Sequence, residues 1–347
     1  LTGGITTFNP VLVTVSTTGW RFTALGVGSG AGWVGTSRPM PVNPGPAVKF
    51  QVMLLGETTV PGSPTGKSGS PTAQTAGSQF TVTVNAVDDN WNINTTAGGA
   101  VSLGTGDPHA ANPGPASLVN GTTQYTVTLY STPGSTLAAT GAYTDYTSAL
   151  VPVNAAGASR LQILAPGENA VPGKWNQTPA GKDGTPTAQV AGSAFSVTVR
   201  VVDPYWNLTS ATTMVTVLTS DPYDAVLAPK LVAGSTTFDI TPLRSVSGEV
   251  LVATATADGY AQHNTGNITV TPGAAAKLLA LLPGEQAAPG KNTAPVGKTD
   301  GQPPSAQASN GAFTITVRLV DANWNQVTSG GMPAVRVRTP DDNYDLE

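Results

Sequence analysis

Apolar and polar residues change places at every second position in one stretch of this chain, and that stretch occurs three times. Phe80, Val82, Val84 and Ala86 alternate with Thr81, Thr83 and Asn85; Phe195, Val197, Val199 and Val201 with Ser196, Thr198 and Arg200; Phe313, Ile315, Val317 and Leu319 with Thr314, Thr316 and Arg318. A period of two marks a strand with one face on a core and the other on water. Phe80, Phe195 and Phe313 are therefore predicted core residues. Each stretch runs into Val-Asp-x-x-Trp-Asn, whose Trp91, Trp206 and Trp324 are predicted to plug the same cores. Read the same way, the first copy gives seven strands, near 48–55, 79–87, 100–105, 117–119, 124–130, 136–143 and 147–153. No window has a helical period, so almost no helix is expected.

The three copies share more than a strand. Glu57, Lys67, Gln74, Asp88 and Asn92 recur as Glu168, Lys182, Gln189, Asp203 and Asn207, then as Glu285, Lys298, Gln307, Asp321 and Asn325. Trp91 to Trp206 is 115 residues and Trp206 to Trp324 is 118, the length of one β-sandwich rather than of a solenoid turn. Gly4, Thr6, Thr7 and Phe8 match Gly234, Thr236, Thr237 and Phe238, and Gly121, Thr123 and Tyr125, all late in a repeat. Asp341, Tyr344 and Asp345 match Asp221, Tyr223 and Asp224, midway through one. The expected layout is all-β: a C-terminal half-module over 1–45, complete modules over 46–156 and 157–273, and an N-terminal half-module over 274–347. The halves are complementary. Each would leave an inner face bare and strand edges unpaired unless an adjacent copy or continuing chain completed it, and a head-to-tail completion of that kind propagates into a fibre. The first residue is Leu1 rather than Met, as expected of a processed chain or a fragment.

Composition narrows the class. Charged residues make up 10% of the chain, against about 25% in an average globular protein, while 40 glycines and 29 prolines punctuate it. Cysteine is absent, so no disulfide staples the modules, and at this size each can bury its own core without them. The pattern fits an extracellular all-β protein. A net charge of −4 without a basic run argues against nucleic acid, and no apolar run reaches the length of a membrane span. Joints at 43–46, 154–157 and 272–274 are short, which predicts sandwiches held nearly end to end.

The Phe-x-Val-x-Val-x-x-Val-Asp-x-x-Trp-Asn strand and turn, followed by Ser/Thr-Asp-Pro and by Ala-Gly-Ser-Thr-Thr-Phe, resembles the bacterial immunoglobulin-like repeats of very large surface proteins, similar in layout to invasin and intimin repeats. The resemblance covers essentially the whole chain. It implies tandem Ig-like sandwiches at the cell surface, acting as stalk, adhesin or fibre. One departure stands out: a long Gly/Pro-rich segment after the first strand, 56–77 and again 167–192, is large enough to wrap a neighbouring module.

Candidate chemistry is sparse. Asp88, Asp203 and Asp321, with the amides beside them, are candidate calcium ligands at a module end, or else cap a tight turn with their own backbone. Asp107, Asp221 and Asp341 also recur. Lys67, Lys182 and Lys298 with Asn92, Asn207 and Asn325 have the parts of a Lys–Asn crosslink, or else are ordinary ion-paired lysines. Trp33 and Trp175 do not repeat, and are either a sugar-stacking platform or packing residues. Asn-x-Ser/Thr sequons occur at Asn94, Asn120, Asn176, Asn207 and Asn267. The two histidines, His109 and His263, are not equivalent, and no nucleophile or glycine fingerprint accompanies them, so no enzyme is expected. The expectation is a structural fibre or stalk whose partners are copies of itself or further repeats, the alternative being an adhesin for glycan or a receptor.

Overall fold

The computed structural model describes every residue except 3, 256–257, 310 and 339–347. Asp341, Tyr344, Asp345 and Glu347 lie outside the described residues. Among those described, strands and one 3-10 turn, Gly28–Gly30, are the regular elements. The chain divides into two compact units. One comprises Leu1–Gly157, Val171–Gly181 and Pro204–Asn207, and the other Ala158–Ala170, Lys182–Asp203 and Leu208–Glu347.

In the first unit, Gln79–Val87 lies between Lys49–Met53 and Thr122–Thr128 in an antiparallel sheet, with Phe50 opposite Ala86 and Tyr125 opposite Val82. The facing sheet runs Ala116–Ser117, Ala100–Thr105, Leu137–Gly141, Tyr146–Thr147. The single strand expected over 147–153 is two pieces: Tyr146–Thr147 stays in that sheet, while Val151–Asn154 crosses to pair with Gly134–Ser135 and, in parallel, with Gln74–Thr75. Phe50, Val82, Val84, Val101, Leu103 and Leu137 fill the space between the sheets. Each such side chain contributes about 1.5–3 kcal/mol on burial.

The second unit repeats the scheme. Phe195–Val202 lies between Arg160–Leu164 and Ser235–Ile240, with Val197 opposite Phe238. The facing sheet is Lys230–Ala233, Thr212–Thr219, Leu251–Ala255, His263–Asn264. Its core holds Leu161, Ile163, Val199, Val215, Phe238 and Leu251. Tandem Ig-like β-sandwiches are thus the fold, two of them complete and flanked by partial ones.

Among the described residues of the third copy, the strands Lys277–Leu281 and Thr316–Val320 pair over a small core of Leu279, Leu281 and Val320. Phe313, expected in a core, is 49% exposed. Phe195 is covered because Ile240 lies opposite it in the sheet, and residue 313 precedes the paired strand and has no such neighbour. Within residues 1–45 two antiparallel strand pairs are nested in sequence, the hairpin Thr23–Leu25 with Val34–Thr36 lying between the paired Thr17–Trp20 and Met40–Val42, and Phe8, Leu12 and Trp33 are exposed.

The long Gly/Pro segment folds back over its own sheet. Glu57–Thr59 pairs with Lys67–Gly69, and the Gly66 carbonyl accepts from the amide of the fully buried Gln51 at 2.9 Å. Asn85, a polar position of the alternating strand, is buried with it: its Nδ2 donates to Gln51 Oε1 at 3.2 Å, and Thr122 Oγ1 donates to its Oδ1. The sheet's outer face is therefore a second, polar interior at this end. In the second unit Arg200 donates to Gln162 Oε1 at 2.7 Å from the corresponding strands.

Candidate inter-repeat joint

The strand that ends at Val87 is stopped by a carboxylate. Asp88 Oδ1 accepts from the Asn90 and Asn92 backbone N–H groups, both at 2.9 Å, and Oδ2 accepts from Gly45 N–H at 2.9 Å and from Asn92 Nδ2 at 3.0 Å. Asp321 does the same with Asn323, Asn325, Gly273 and the Asn325 side chain, at 2.8–2.9 Å. Asp203 is fully buried at the equivalent place. Burial alone would raise the Asp88 carboxyl, but the hydrogen bonds from Asn92, Gly45 and Asn90 outweigh it and hold the group below its ordinary range. These oxygens are taken up by the chain's own N–H groups. Among the described residues, no three His, Cys, Asp or Glu side chains gather as a metal site would need.

A turn this tight forces its fourth residue into left-handed backbone. Trp91, Trp206 and Trp324 have φ of 66°, 68° and 68°, a conformation costing roughly 1–2 kcal/mol for a residue with a Cβ. The indole recovers that by packing on a glycine. A Cβ on Gly66, Gly181 or Gly297 would stand 2.3, 2.2 or 2.7 Å from the ring of Trp91, Trp206 or Trp324. Of the three tryptophans expected in the cores, Trp206 is buried and Trp324 packs against the small core of the third copy. Trp91 and Trp206 belong to neither inter-sheet cluster, Trp91 and Trp324 are half-buried, and all three clamp the long loop. Lys49 and Lys277 place their ammonium groups 3.6 and 3.5 Å from the ring centres of Trp91 and Trp324.

The lysine after each of those glycines pairs with a glutamate: Lys67 with Glu57, Lys182 with Glu168 and Lys298 with Glu285, each at 2.7 Å. In Glu57 and Glu168 the other carboxylate oxygen accepts from the N–H of Leu54 or Ala165 at 3.0 and 2.9 Å, while in Glu285 the same Oε2 that meets Lys298 accepts from Leu282 N–H at 2.9 Å. That N–H bond, with Lys298 beside it, holds the Glu285 carboxyl below its usual range. These lysines serve ion pairs that lock the loop, not crosslinks to the asparagines.

The asparagines reach into the preceding repeat. Asn92 Oδ1 accepts from Ser16 N–H at 2.8 Å and its Nδ2 donates to the Thr14 carbonyl at 2.9 Å. Asn207 makes the same fork on Thr132 N–H at 3.0 Å and the Tyr130 carbonyl at 2.8 Å. Asn325 makes it on Ser245 N–H at 2.7 Å and the Leu243 carbonyl at 2.8 Å. A side-chain amide thus satisfies two backbone groups of a corner about 80 residues upstream, as a neighbouring strand residue would. A second recurring contact lies beside it. The N–H of Gly62, Gly173 and Gly290, each following a proline, donates to the carbonyl of Asn90, Tyr205 and Asn323 at 2.7–2.8 Å. These glycines press on the same corner: a Cβ would meet Val15, Ser131 or Arg244 at 2.5, 2.0 or 2.9 Å.

The other recurring aspartates hold that corner from within its own repeat. Asp107 Oδ2 accepts from Tyr130 and Ser131 N–H at 2.7 and 3.0 Å, and Asp221 Oδ2 from Arg244 N–H at 2.7 Å. Burial pushes Asp107 up, and bonds from Ser131, Tyr130 and His109 push it further down. Beside Asp221, Asp224 is raised to about 7, first by burial and then by the Asp221 charge. Aromatics complete the middle joint: Tyr130 lies 5.0 Å from Tyr205 and 5.2 Å from Trp175, ring to ring. Trp175, one candidate sugar platform, is thus a packing residue on one face, whereas Trp33 is exposed.

His263 is half-buried and its Nδ1 accepts from Ile163 N–H at 3.1 Å, a structural use. The sequon asparagine Asn207 is buried in its fork. Sequence reasoning missed the partner of the motif's last asparagine and the Pro-Gly contact. Their recurrence at fixed distance from each tryptophan was the available signal.

No protein-family model and no curated protein sequence matches the chain. Among solved structures it is similar in part to FdeC, an Escherichia coli adhesin, at 15% identity and a TM-score of 0.28, covering 83% of this chain and 78% of that one. It is similar to invasin, a bacterial integrin-binding protein, at 14% identity and a TM-score of 0.25, covering 80% of this chain and 48% of that one. It is also similar to trypsin-activated alpha-2-macroglobulin from Escherichia coli, at 13% identity and a TM-score of 0.33, covering 78% of this chain and 21% of that one. The chain spans less than half the length of invasin and about a fifth of the macroglobulin.

Proposed function

We propose that this chain is an extracellular structural protein of the cell surface, a subunit or segment of a fibre or stalk built from end-to-end Ig-like sandwiches. Its module boundaries follow 1–45, 46–156, 157–273 and 274–347, with the partial modules completed by the adjacent copy or by continuing chain. One observation carries this reading: the asparagine fork is made three times, with the same atoms and nearly the same distances, onto three different corners. A contact repeated in that way is a rule for adding the next sandwich, and a rule that needs no ligand. Electron microscopy of the purified material tests it. Long fibres with a spacing of three modules are expected. Isolated three-module rods that bind cells or sugars would overturn it in favour of an adhesin.

A further inference from the structure

Among the described residues, three strands have an open edge where their counterparts are paired on both sides; one is Met40–Val42, which pairs with Thr17–Trp20 while its counterpart Ile268–Thr271 lies between Gln189–Val190 and Val246–Glu249. Thr316–Val320 pairs only with Lys277–Leu281, whereas its counterpart Phe195–Val202 also carries Ser235–Ile240. Thr23–Leu25 pairs only with Val34–Thr36, whereas its counterpart Leu251–Ala255 also pairs with Thr212–Thr219. The bare side chains follow the same rule. Phe8 is 78% exposed and its counterpart Phe238 is 1%; Phe313 is 49% and Phe195 is 8%; Val335 is 46% and Val215 is 0%. What one end lacks, the other end holds. The strand that would cover Thr316–Val320 is represented by residues 4–10, and the strand that would cover Thr23–Leu25 by residues 335–338.

Resting on the fibre reading, we infer that the occupant of the open face at 313–338 is residues 4–25 of a second copy of this chain, in the register of the complete sandwiches. Val197 faces Phe238 and Thr198 faces Thr237, so Ile315 of one copy faces Phe8 of the other and Thr316 faces Thr7. In the first unit Val82 faces Tyr125 and Thr83 faces Gln124, which gives the same register independently. In the other sheet, Val217 faces Ala253, so Val337 faces Ala24. Backbone ladders supply the affinity, and the alternating apolar side chains fix the register, because a one-residue slip turns Phe8 and Ile315 to water.

Absence of native cysteine makes the test clean. Facing residues on neighbouring strands hold their Cβ atoms about 4.5–5.5 Å apart, near disulfide reach. Full-length chains carrying Thr7→Cys alone and Thr316→Cys alone, mixed and mildly oxidised, are expected to give a one-to-one covalent dimer. The double variant is expected to give a ladder in steps of 35.0 kDa, and Thr314→Cys, two residues out of register, to crosslink at least tenfold less to Thr7→Cys. An internally oxidised monomer from the double variant, or equal yields from the 314 and 316 positions, would overturn the inference. Fibres seen by microscopy without in-register crosslinking would sink the register and leave the fibre reading standing. Monomers without fibres or crosslinks would sink both.

Discussion

The side chain of Asn92 donates to the main-chain carbonyl of Thr14 at 2.9 Å, across 78 residues of sequence. The same amide is oriented by Asp88, whose carboxylate faces its Nδ2 at 3.0–3.1 Å. Asn92→Ala should destabilise the first joint by about 1–3 kcal/mol, the range for leaving partly buried backbone groups unmade. Asn92→Asp should be worse, because it sets an anion against Asp88 and the Thr14 carbonyl. Thermal melts of the two variants check the order, and an Asp variant as stable as wild type would contradict it.

Gly66→Ala should cost about 2–4 kcal/mol. The new Cβ stands 2.3 Å from the Trp91 ring at a φ of 74°, so left-handed strain and overpacking add. Denaturant titration reports the loss, and the Trp91 fluorescence should redshift as the loop lifts.

Lys182 and Glu168 are almost wholly buried together. Lys182→Met should cost about 3–5 kcal/mol by stranding the carboxylate, and adding Glu168→Gln should recover part of it by removing the charge, since the amide oxygen keeps only one of the two N–H bonds, from Ala165 or from Gly266, that the two carboxylate oxygens accept. Additive losses in that cycle would show that the charges are not coupled.

Two groups in the second unit oppose each other on acidification. His263 is lowered to about 4 by burial, then by the Lys182 charge. Its folded pKa lies below its unfolded one, so its stabilisation is present above about pH 6.5 and lost as pH falls toward 4. Asp224 is raised to about 7, so its contribution is present below about pH 4 and lost as pH rises toward 7. Wild type should therefore show a shallow stability profile across that window. Asp224→Asn should steepen it so that stability drops on acidification, and His263→Gln should make it fall with rising pH. Melting temperatures at pH 4.5 and 7 for the three proteins check the signs.

Much of the fold was legible because burial in a sandwich writes itself as alternation. Phe80, Val82 and Val84 face inward as their spacing implied. Asn85 reads as a surface position and is buried, because what covers it is the Gly/Pro loop, and a loop that uses backbone carbonyls such as that of Gly66 leaves no apolar period. The left-handed tryptophans were illegible for a related reason: Trp91 is apolar enough to suggest a core, and nothing in its neighbours reports a φ of 66°. Asp88 was legible as a turn cap and illegible as the residue that aims Asn92. The fork itself is long-range, and a single copy of the motif carries no trace of its acceptor.

The acceptors in that fork are main-chain atoms, belonging to Thr14 and Ser16, to Tyr130 and Thr132, and to Leu243 and Ser245. Recognition that reads only peptide groups places no demand on which residues supply them. As far as this fork is concerned, one such sandwich can follow any other, so the number of repeats can change by duplication or deletion without a compensating change in the residues that supply the acceptors.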